Sequence, residues 1–523
     1  MKNKIVVICI CTLLIATAAP AVGILNNPIH GKSQQLQNSR NMEWNLTYDR
    51  GEFDEIRYIL QTTDGGYICC GLTEESDNYY VMILKLDTNG EEEWHVVNYD
   101  LNGTILGQTD NWIFTMHILQ TNDGGFLFSG WSTILVDVEG EYIWLPAGYL
   151  WKTNATGATD WLQHYYSVEE LGLDFLYCTE EISMGYAACG FRIYYDISGQ
   201  IIDIRGFLME TDSDGNLQWF QSYDAGGDDD ELGALCSTDD GGYILTGYTT
   251  SSLVNNGALW MVKTDGDGNK QWDKIFDGPD FEYTYVKGCY QTSDGGYLMA
   301  GNTASYGAGL VDVWVIKTDS SGNEMWNKTY GYARSDYSWS MDQTSNGEYV
   351  LGICKDMYYN LGTKTDIWIV QFNEQGDTEW NYLIEEAGTQ IITCIKQTDD
   401  EGFVVSGRTN EYGTATSDGI VVKVGPFPHL DIELKGGLGI RAIITNTGLG
   451  DAIQVPYHLS VTGGILGLLN QSMNGTIDIF PEEQKTFLGF FFRLGTINIT
   501  VKIGLKEKIA TAVVFGPFVL NIT

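Results

Sequence analysis

The sequence predicts an all-β chain: a ring of seven four-stranded sheets closed by the N-terminal strand, followed by a smaller β-sandwich. Three observations predict it. An acidic Gly turn recurs, as QTTDGGYICCG from 61, QTNDGGFLFSG from 120, STDDGGYILTG from 237, QTSDGGYLMAG from 291, QTSNGEYVLGI from 343 and QTDDEGFVVSG from 397. The aromatic residue after it (Tyr67, Phe126, Tyr186, Tyr243, Tyr297, Tyr349, Phe403) returns at steps of 59, 60, 57, 54, 52 and 54. A Trp (Trp44, Trp94, Trp161, Trp219, Trp272, Trp326, Trp380) alternates strictly with that marker. Repeats of this length, rich in turns, are the signature of a β-propeller.

One unit shows the elements. From 322 it reads GNEMWNKTYG, YSWSMDQTS, GEYVLGICK and DIWIVQFNEQG. Each segment is short, aromatic and β-branched, and turn residues separate them, so each unit supplies four antiparallel strands. The third unit, with EISMGYAACG, departs most from the pattern. The last unit ends in DGIVVKVGPFP with no Trp strand after it, whereas the chain starts its repeats with an orphan Trp strand, NMEWNLTY. The N-terminal strand is therefore expected to complete the last sheet, leaving only short protected edges.

The expected organisation is a signal peptide at 1–22, a linker at 23–41, the propeller at 42–425 and the sandwich at 426–523. Lys2 and Lys4 precede an apolar run from Ile5 to Ile15 and A-x-A patterns. That is the build of a cleaved secretory signal. No later run is long enough to cross a bilayer, so the mature chain is expected to lack a transmembrane segment and to be secreted or associated with the cell surface. Beyond 430, seven strand candidates separated by turns, among them GIRAIITNTG, VPYHLSVTG and TINITVKIG, fit an immunoglobulin-like sandwich.

Composition limits the function. The net charge of −40 argues against nucleic acid as a partner, because phosphate binding needs Lys and Arg stripes. An acidic surface fits solvation, with attraction of divalent cations as the sharper alternative. The sequence carries no HExxH, GxSxG or phosphate loop, and its six His do not cluster.

In a four-strand meander the DGG turn and the D-x-x-G turn lie on one face. The long, variable connections share the other, where binding surfaces are usually built. Those connections carry Tyr79, Tyr80, Trp131, Trp144, Tyr194, Tyr195, Tyr358 and Tyr359. Planar rings beside carboxylates suit a sugar or a peptide; the alternative is packing of the loops onto the sheets. Asp54, Asp230 and Asp336 each precede the Gln position of the turn motif by seven residues, at the entry to the innermost strand. They are candidates for a carboxylate ring holding a cation such as Ca2+, or for loop aspartates accepting backbone N–H bonds. DSDG at 212–215 and DGDGN at 265–269 resemble pieces of a calcium loop without its closing Glu. Cys178 and Cys189 are expected to face each other across two strands, as a disulfide or as two buried thiols.

The DGGY turn and the K-x-D-x-x-G-x-x-x-W pattern (KLDTNGEEEW at 85, KTDGDGNKQW at 263, KTDSSGNEMW at 317) resemble exported bacterial and archaeal propeller repeats. They are distantly similar to the tryptophan-docking repeats of quinoproteins and outer-membrane assembly propellers. The ITNTG stretch is similar to a strand-turn of exported Ig-like accessory modules. The resemblance implies a fold more than an activity. The adjacent Cys69–Cys70 would suit a quinoprotein, but the pair occupies ordinary strand positions, and no cofactor is expected. The function expected is a non-catalytic binding or adhesion protein that recognises an extracellular glycan, peptide or surface protein. The alternative is an endoglucanase-like hydrolase using paired carboxylates on the long-loop face.

Overall fold

The computed structural model describes residues 42–523 apart from 50–52, 76–77, 99–112, 139–140, 168–171, 196–200, 228, 251–256, 285, 287, 358–363, 386–387, 411–416, 465–468 and 490–492. The expected signal and linker, 1–41, lie outside the described residues. Among those described, all regular structure is strand, and no helix is long and apolar enough to cross a membrane. The chain divides into two compact units, Met42–Asp377 with Leu383–Val424, and Gly425–Thr523 with Thr378–Tyr382.

In the larger unit β1 (Met42–Tyr48) precedes a meander of β2 (Phe53–Gln61), β3 (Tyr67–Glu75), β4 (Asn78–Leu86) and β5 (Glu92–Asn98). The meander repeats as β6 (Ile113–Gln120), β7 (Phe126–Val138), β8 (Glu141–Thr153) and β9 (Thr159–Tyr165), then as β10 (Gly172–Ile182), β11 (Gly185–Tyr195), β12 (Ile201–Asp212) and β13 (Leu217–Tyr223). It continues as β14 (Asp230–Ser237), β15 (Tyr243–Thr249), β16 (Ala258–Thr264) and β17 (Lys270–Phe276). In the fifth sheet the inner strand is split into β18 (Glu282–Tyr283) and β19 (Cys289–Gln291), which both pair with β20 (Tyr297–Thr303), followed by β21 (Asp312–Thr318) and β22 (Glu324–Tyr330). The sixth holds β23 (Tyr337–Gln343), β24 (Tyr349–Lys355), β25 (Asp366–Phe372) and β26 (Thr378–Ile384). Last come β27 (Thr389–Gln397), β28 (Phe403–Asn410) and β29 (Asp418–Val424), and β1 pairs antiparallel with β29, Trp44 opposite Lys423. Inner strands touch in sequence, β2 to β6 to β10 to β14 to β19 and β23 to β27, and β27 returns to β2. That cyclic succession of antiparallel four-stranded meanders is the arrangement of a β-propeller.

The repeated residues explain how neighbouring sheets lock. The Gln that opens the turn motif accepts a backbone N–H from the turn of the preceding sheet: Thr63 to Gln120 at 2.9 Å, Asp239 to Gln291 at 2.8 Å, Ser345 to Gln397 at 2.6 Å, and Asp399 back to Gln61 at 2.7 Å. On the outside, six of the seven marker Trp, all but Trp380, lie over the Gly of the next sheet's D-x-x-G turn or its Asn variant. A Cβ added to Gly90 would come 2.8 Å from the Trp44 ring, and the same holds at 2.9 Å for Gly157 under Trp94. Trp44 also meets Tyr67 edge-on at 5.4 Å, so the N-terminal strand docks on the first meander while hydrogen-bonding to the last.

The acidic Gly motif is a turn with an ion pair built under it. Asp240 accepts bonds from Thr238 (2.6 Å) and the Gly242 N–H (3.2 Å), and Lys263 from the third strand reaches it at 3.0 Å. Lys85–Asp64, Lys152–Asp123, Lys317–Asp294 and Lys423–Asp400 repeat the pair. The exceptions are matched. The third sheet has Met184 at the turn and Glu210 where the Lys stands elsewhere, and the sixth has Asn346 and Gln371 at the two positions, with Gln371 donating to Glu348. The D-x-x-G aspartates serve their own turns: Asp212 accepts the N–H groups of Asp214 and Asn216, and Asp265 those of Asp267 and Asn269. The two calcium-loop fragments are hairpin turns of this kind.

In the smaller unit β30 (Leu430–Lys435), β32 (Ile440–Asn446) and β35 (Gln484–Gly489) form one sheet. The other runs β31 (Gly437–Leu438), β38 (Phe518–Leu520), β37 (Lys506–Gly516), β36 (Arg493–Ile503), β33 (Ala452–Gly463) and β34 (Leu469–Ile479). Inward residues of both, Ala442, Ile444 and Phe487 with Ile499, Val501 and Val514, share one apolar core.

Candidate functional site

The inner strands carry a second repeated feature. β2, β6, β10, β14, β23 and β27 each hold a bulge at the same level, where the strand register skips one residue: Arg57, Met116, Tyr177, Gly233, Trp339 and Thr393. In five of these sheets a strand Gly makes room for it. A Cβ at Gly71 would lie 1.9 Å from the Glu55 carbonyl oxygen, and one at Gly247 would lie 1.8 Å from that of Glu231. A bulge re-aims a side chain. Here Arg57, Met116, Tyr177, Trp339 and Thr393 all line one cavity of about 330 Å³, whose wall is completed by Glu55, Met357, Ile391 and Arg408. Its level along the strands, near the entry to β2 and the exit of β24 and β28, places it toward the long connections.

The cavity holds two guanidinium groups and one carboxylate. Arg57 Nε donates to Glu55 Oε2 at 2.8 Å, and Arg408 Nε lies 3.5 Å from Glu55 Oε1. Each guanidinium also sits over a ring, Arg57 4.7 Å from the Phe114 centroid and Arg408 4.9 Å from that of Phe53. Such cation–π contacts fix the plane of the fork.

The three predicted carboxylates each sit three residues before a bulge, at Arg57, Gly233 and Trp339, and are fully buried. Asp230 accepts the Ala225 N–H at 2.7 Å and the Thr249 hydroxyl; Asp336 accepts the Tyr332 and Asp356 N–H groups at 2.6 and 2.9 Å. The Asp54 N–H donates to the Ser417 carbonyl at 2.7 Å. Burial pushes the Asp336 carboxyl up to about 6, against the pull of its backbone donors, and raises Asp230 as well. Among the described residues the oxygens of these three do not converge within 4.8 Å of one another. The Asp230 and Asp336 carboxylates tie down the chain that enters their inner strands.

Of the predicted aromatics, Trp131 stacks on Phe114 (4.5 Å) and meets Phe175 edge-on (5.0 Å); Phe175 in turn stacks on Phe191 (4.9 Å). This ladder joins the second and third sheets beside Arg57 and Tyr177. Tyr80, Tyr194 and Tyr195 are half-buried, with Arg205 over the Tyr194 ring at 5.5 Å. The side chains of Tyr79 and Trp144, and all of Tyr358 and Tyr359, lie outside the described residues. Cys178 and Cys189 stand opposite each other in register, both buried and both as thiols; burial pushes the Cys189 thiol well up.

One further pair emerges at the same level. Asp229 and Glu231 flank the Tyr248 hydroxyl, at 3.2 and 3.1 Å. Burial, then the charge of Asp229, pushes Glu231 up to about 8.

Sequence patterning missed the bulge residues. A usable signal exists: Arg57, Met116, Gly233, Trp339 and Thr393 all stand ten residues before the marker aromatic, and this column is chemically diverse.

No family model matches the chain, and no curated protein matches it. Solved structures do. Sqt1 of Chaetomium thermophilum, bound to the N-terminus of ribosomal protein L10, is 10% identical over 72% of this chain and 98% of its own, with a TM-score of 0.38. A puromycin hydrolase is 10% identical over 76% of this chain and 61% of its own, at 0.44. The Penicillium chrysogenum alpha-L-arabinanase complexed with arabinobiose is 12% identical over 72% and 98%, at 0.37. Likeness this slight carries no functional argument.

Proposed function

We propose that this chain is an exported seven-bladed β-propeller with an Ig-like C-terminal module, acting as a binding or adhesion protein. Its recognition surface is the long-connection face of the second and third blades, and its partner is an extracellular glycan, peptide or surface protein. One observation carries the reading. β7 and β8 each run 13 residues and β11 and β12 run 11 and 12, whereas the four strands of the next blade run 7 or 8. The extra length forms two hairpin ribbons on the face opposite the short turns, and the Trp131 ladder anchors their bases. Ribbons on a rigid scaffold are a common way to build an interface.

Replacing residues 134–145 by Asn-Gly keeps the Thr133–Pro146 register pair and removes the first ribbon. Glycan-array and cell-surface pull-down signals should fall with this variant. Full binding after both ribbons are shortened would sink the reading.

A second reading, glycan hydrolysis, is favoured by Glu231. A carboxyl held protonated near neutral pH beside Asp229 has the property of a general acid. New reducing ends released from polysaccharide by the wild type but not by E231Q would establish it.

A further inference from the structure

We propose that the central cavity is a binding site for an organic monoanion, a carboxylate on an apolar body. The proposal concerns the bulge residues and stands independently of the ribbon surface.

Charge is the first support. The chain has 29 Lys and Arg against 69 Asp and Glu, yet this cavity brings together Arg57 and Arg408 with Glu55 alone, a local balance of 2 − 1 = +1. Most other cations of the larger unit stand in ion pairs, beneath the turns or, as with Arg192, Lys328 and Lys396, with Asp174, Asp377 and Asp342. Glu55 bonds Arg57 at 2.8 Å and approaches Arg408 to 3.5 Å, so the two forks share one carboxylate. Each guanidinium carries five N–H donors in a plane that matches a carboxylate edge.

Shape and lining are the second. Trp339, Met116, Met357 and Ile391 supply apolar and polarisable surface around the charged end. A volume of about 330 Å³ falls in the range of small-molecule sites. The net excess of one positive charge suits a single negative charge; a phosphate dianion would leave the partly desolvated cavity with a charge of the wrong sign. The acidic surface adds selection by repelling polyanions before they reach the mouth.

Placement is the third. The bulge sets one residue of each of six inner strands outside the strand register. At that position the repeats differ in chemistry, from Arg57 to Met116 to Trp339, and these side chains line the cavity. Glu55 then acts as an internal stand-in that orients Arg57 and yields to the incoming carboxylate.

Titration calorimetry on the full chain tests this with phenylacetate, its neutral isostere phenylacetamide, and phenethylamine. Phenylacetate should bind, and the amide and the amine should bind at least about tenfold more weakly, the worth of one charge-assisted hydrogen bond. R57Q and R408Q should each lose about tenfold with circular dichroism unchanged. R408K, which keeps charge but not the fork, should lose less, and E55Q should bind more tightly. A Gly-Ala-Phe peptide with a free or an amidated C-terminus distinguishes a peptide end from a free acid as the natural source. Equal binding of acid and amide, unchanged affinity in both Arg variants, or no uptake of phenylacetate by the wild type would each overturn the proposal. Loss of ribbon-dependent binding with phenylacetate binding intact would separate the two sites.

Discussion

Lys317 Nζ lies 2.8 Å from Asp294 Oδ1, with the lysine side chain 3% exposed and the aspartate 47% exposed. The lysine also donates to the Thr318 carbonyl at 2.9 Å. Burial works to raise the Asp294 carboxyl, but bonds from Lys317, Thr292 and Gly296 outweigh it and hold the group at about 2. The pair welds the third strand to the turn between the first two. Removing Asp294 leaves a buried ammonium short of a partner, which costs roughly 1–3 kcal/mol. D294A should therefore lower the melting temperature more than the double variant D294A/K317M, in which no buried charge remains. The carboxyl is depressed below its ordinary 3.8, so its contribution is present above that value and lost as pH falls through about 2. The gap between wild type and D294N should close over that acid window.

The second Gly of the motif answers to the same lysine. A Cβ at Gly296 would lie 2.0 Å from the Thr318 carbonyl oxygen and 2.6 Å from Lys317 Nζ. G296A should cost about 1–3 kcal/mol through overpacking. The sixth sheet, where Gln371 replaces the lysine, carries Glu348 at this position, and the Gln371 amide donates to it at 2.6 Å. E348A loses only that bond and overpacks nothing, so it should cost no more than about 1 kcal/mol. Thermal melts of the two variants give the comparison. A G296A melt matching wild type would remove the steric reason for the glycine.

The strands and the sheet closure were legible because turn chemistry and ring size are local and repeated. Asp, Gly and an aromatic at fixed spacing specify a hairpin wherever they occur, and an orphan Trp strand has one open edge to fill. The cavity was not legible, because it is assembled from residues that break the repeat. Arg57 stands hundreds of residues before Trp339 and Arg408, and the three share no motif; bulges turn Arg57 and Trp339 to the centre that Arg408 reaches from β28. The strand-entry aspartates were conspicuous for the opposite reason: Asp230 and Asp336 recur at one position, and each accepts backbone N–H groups of its entering loop.

Closure through β1 makes Trp44 a strategic contact. It packs on Gly90 and Tyr67 of the first meander while β1 hydrogen-bonds β29. W44A should cost roughly 2–4 kcal/mol, the range for emptying a partly buried aromatic site. The loss should be local: amide exchange of Asp418–Val424 should rise before that of the fourth sheet. G90A should reproduce the effect from the other side, because Gly90 has φ +81° and its Cβ would meet the Trp44 ring at 2.8 Å. Uniform exchange across the sheets in W44A would show that the ring does not depend on this clasp.

Glu231 supplies a stability switch of opposite sign to Asp294. Burial and the neighbouring Asp229 raise its carboxyl from 4.5 to about 8, and Tyr248 bridges the two side chains. The folded chain therefore holds a proton that the unfolded chain releases above 4.5. Stability from this group is complete below that value and declines as pH rises through about 8. E231Q keeps the neutral shape and carries no proton to lose. Its melting temperature should match wild type near pH 4 and exceed it near pH 9 by at least ~1.4 kcal/mol in stability, the worth of one pKa unit. D229N should draw the Glu231 titration back toward its ordinary range, and Y248F should push it further up by removing a donor to the charged form. Parallel melting curves for wild type and E231Q across pH 4 to 9 would show that the carboxyl titrates as it does in the open chain, and the general-acid reading of Glu231 would fall with it.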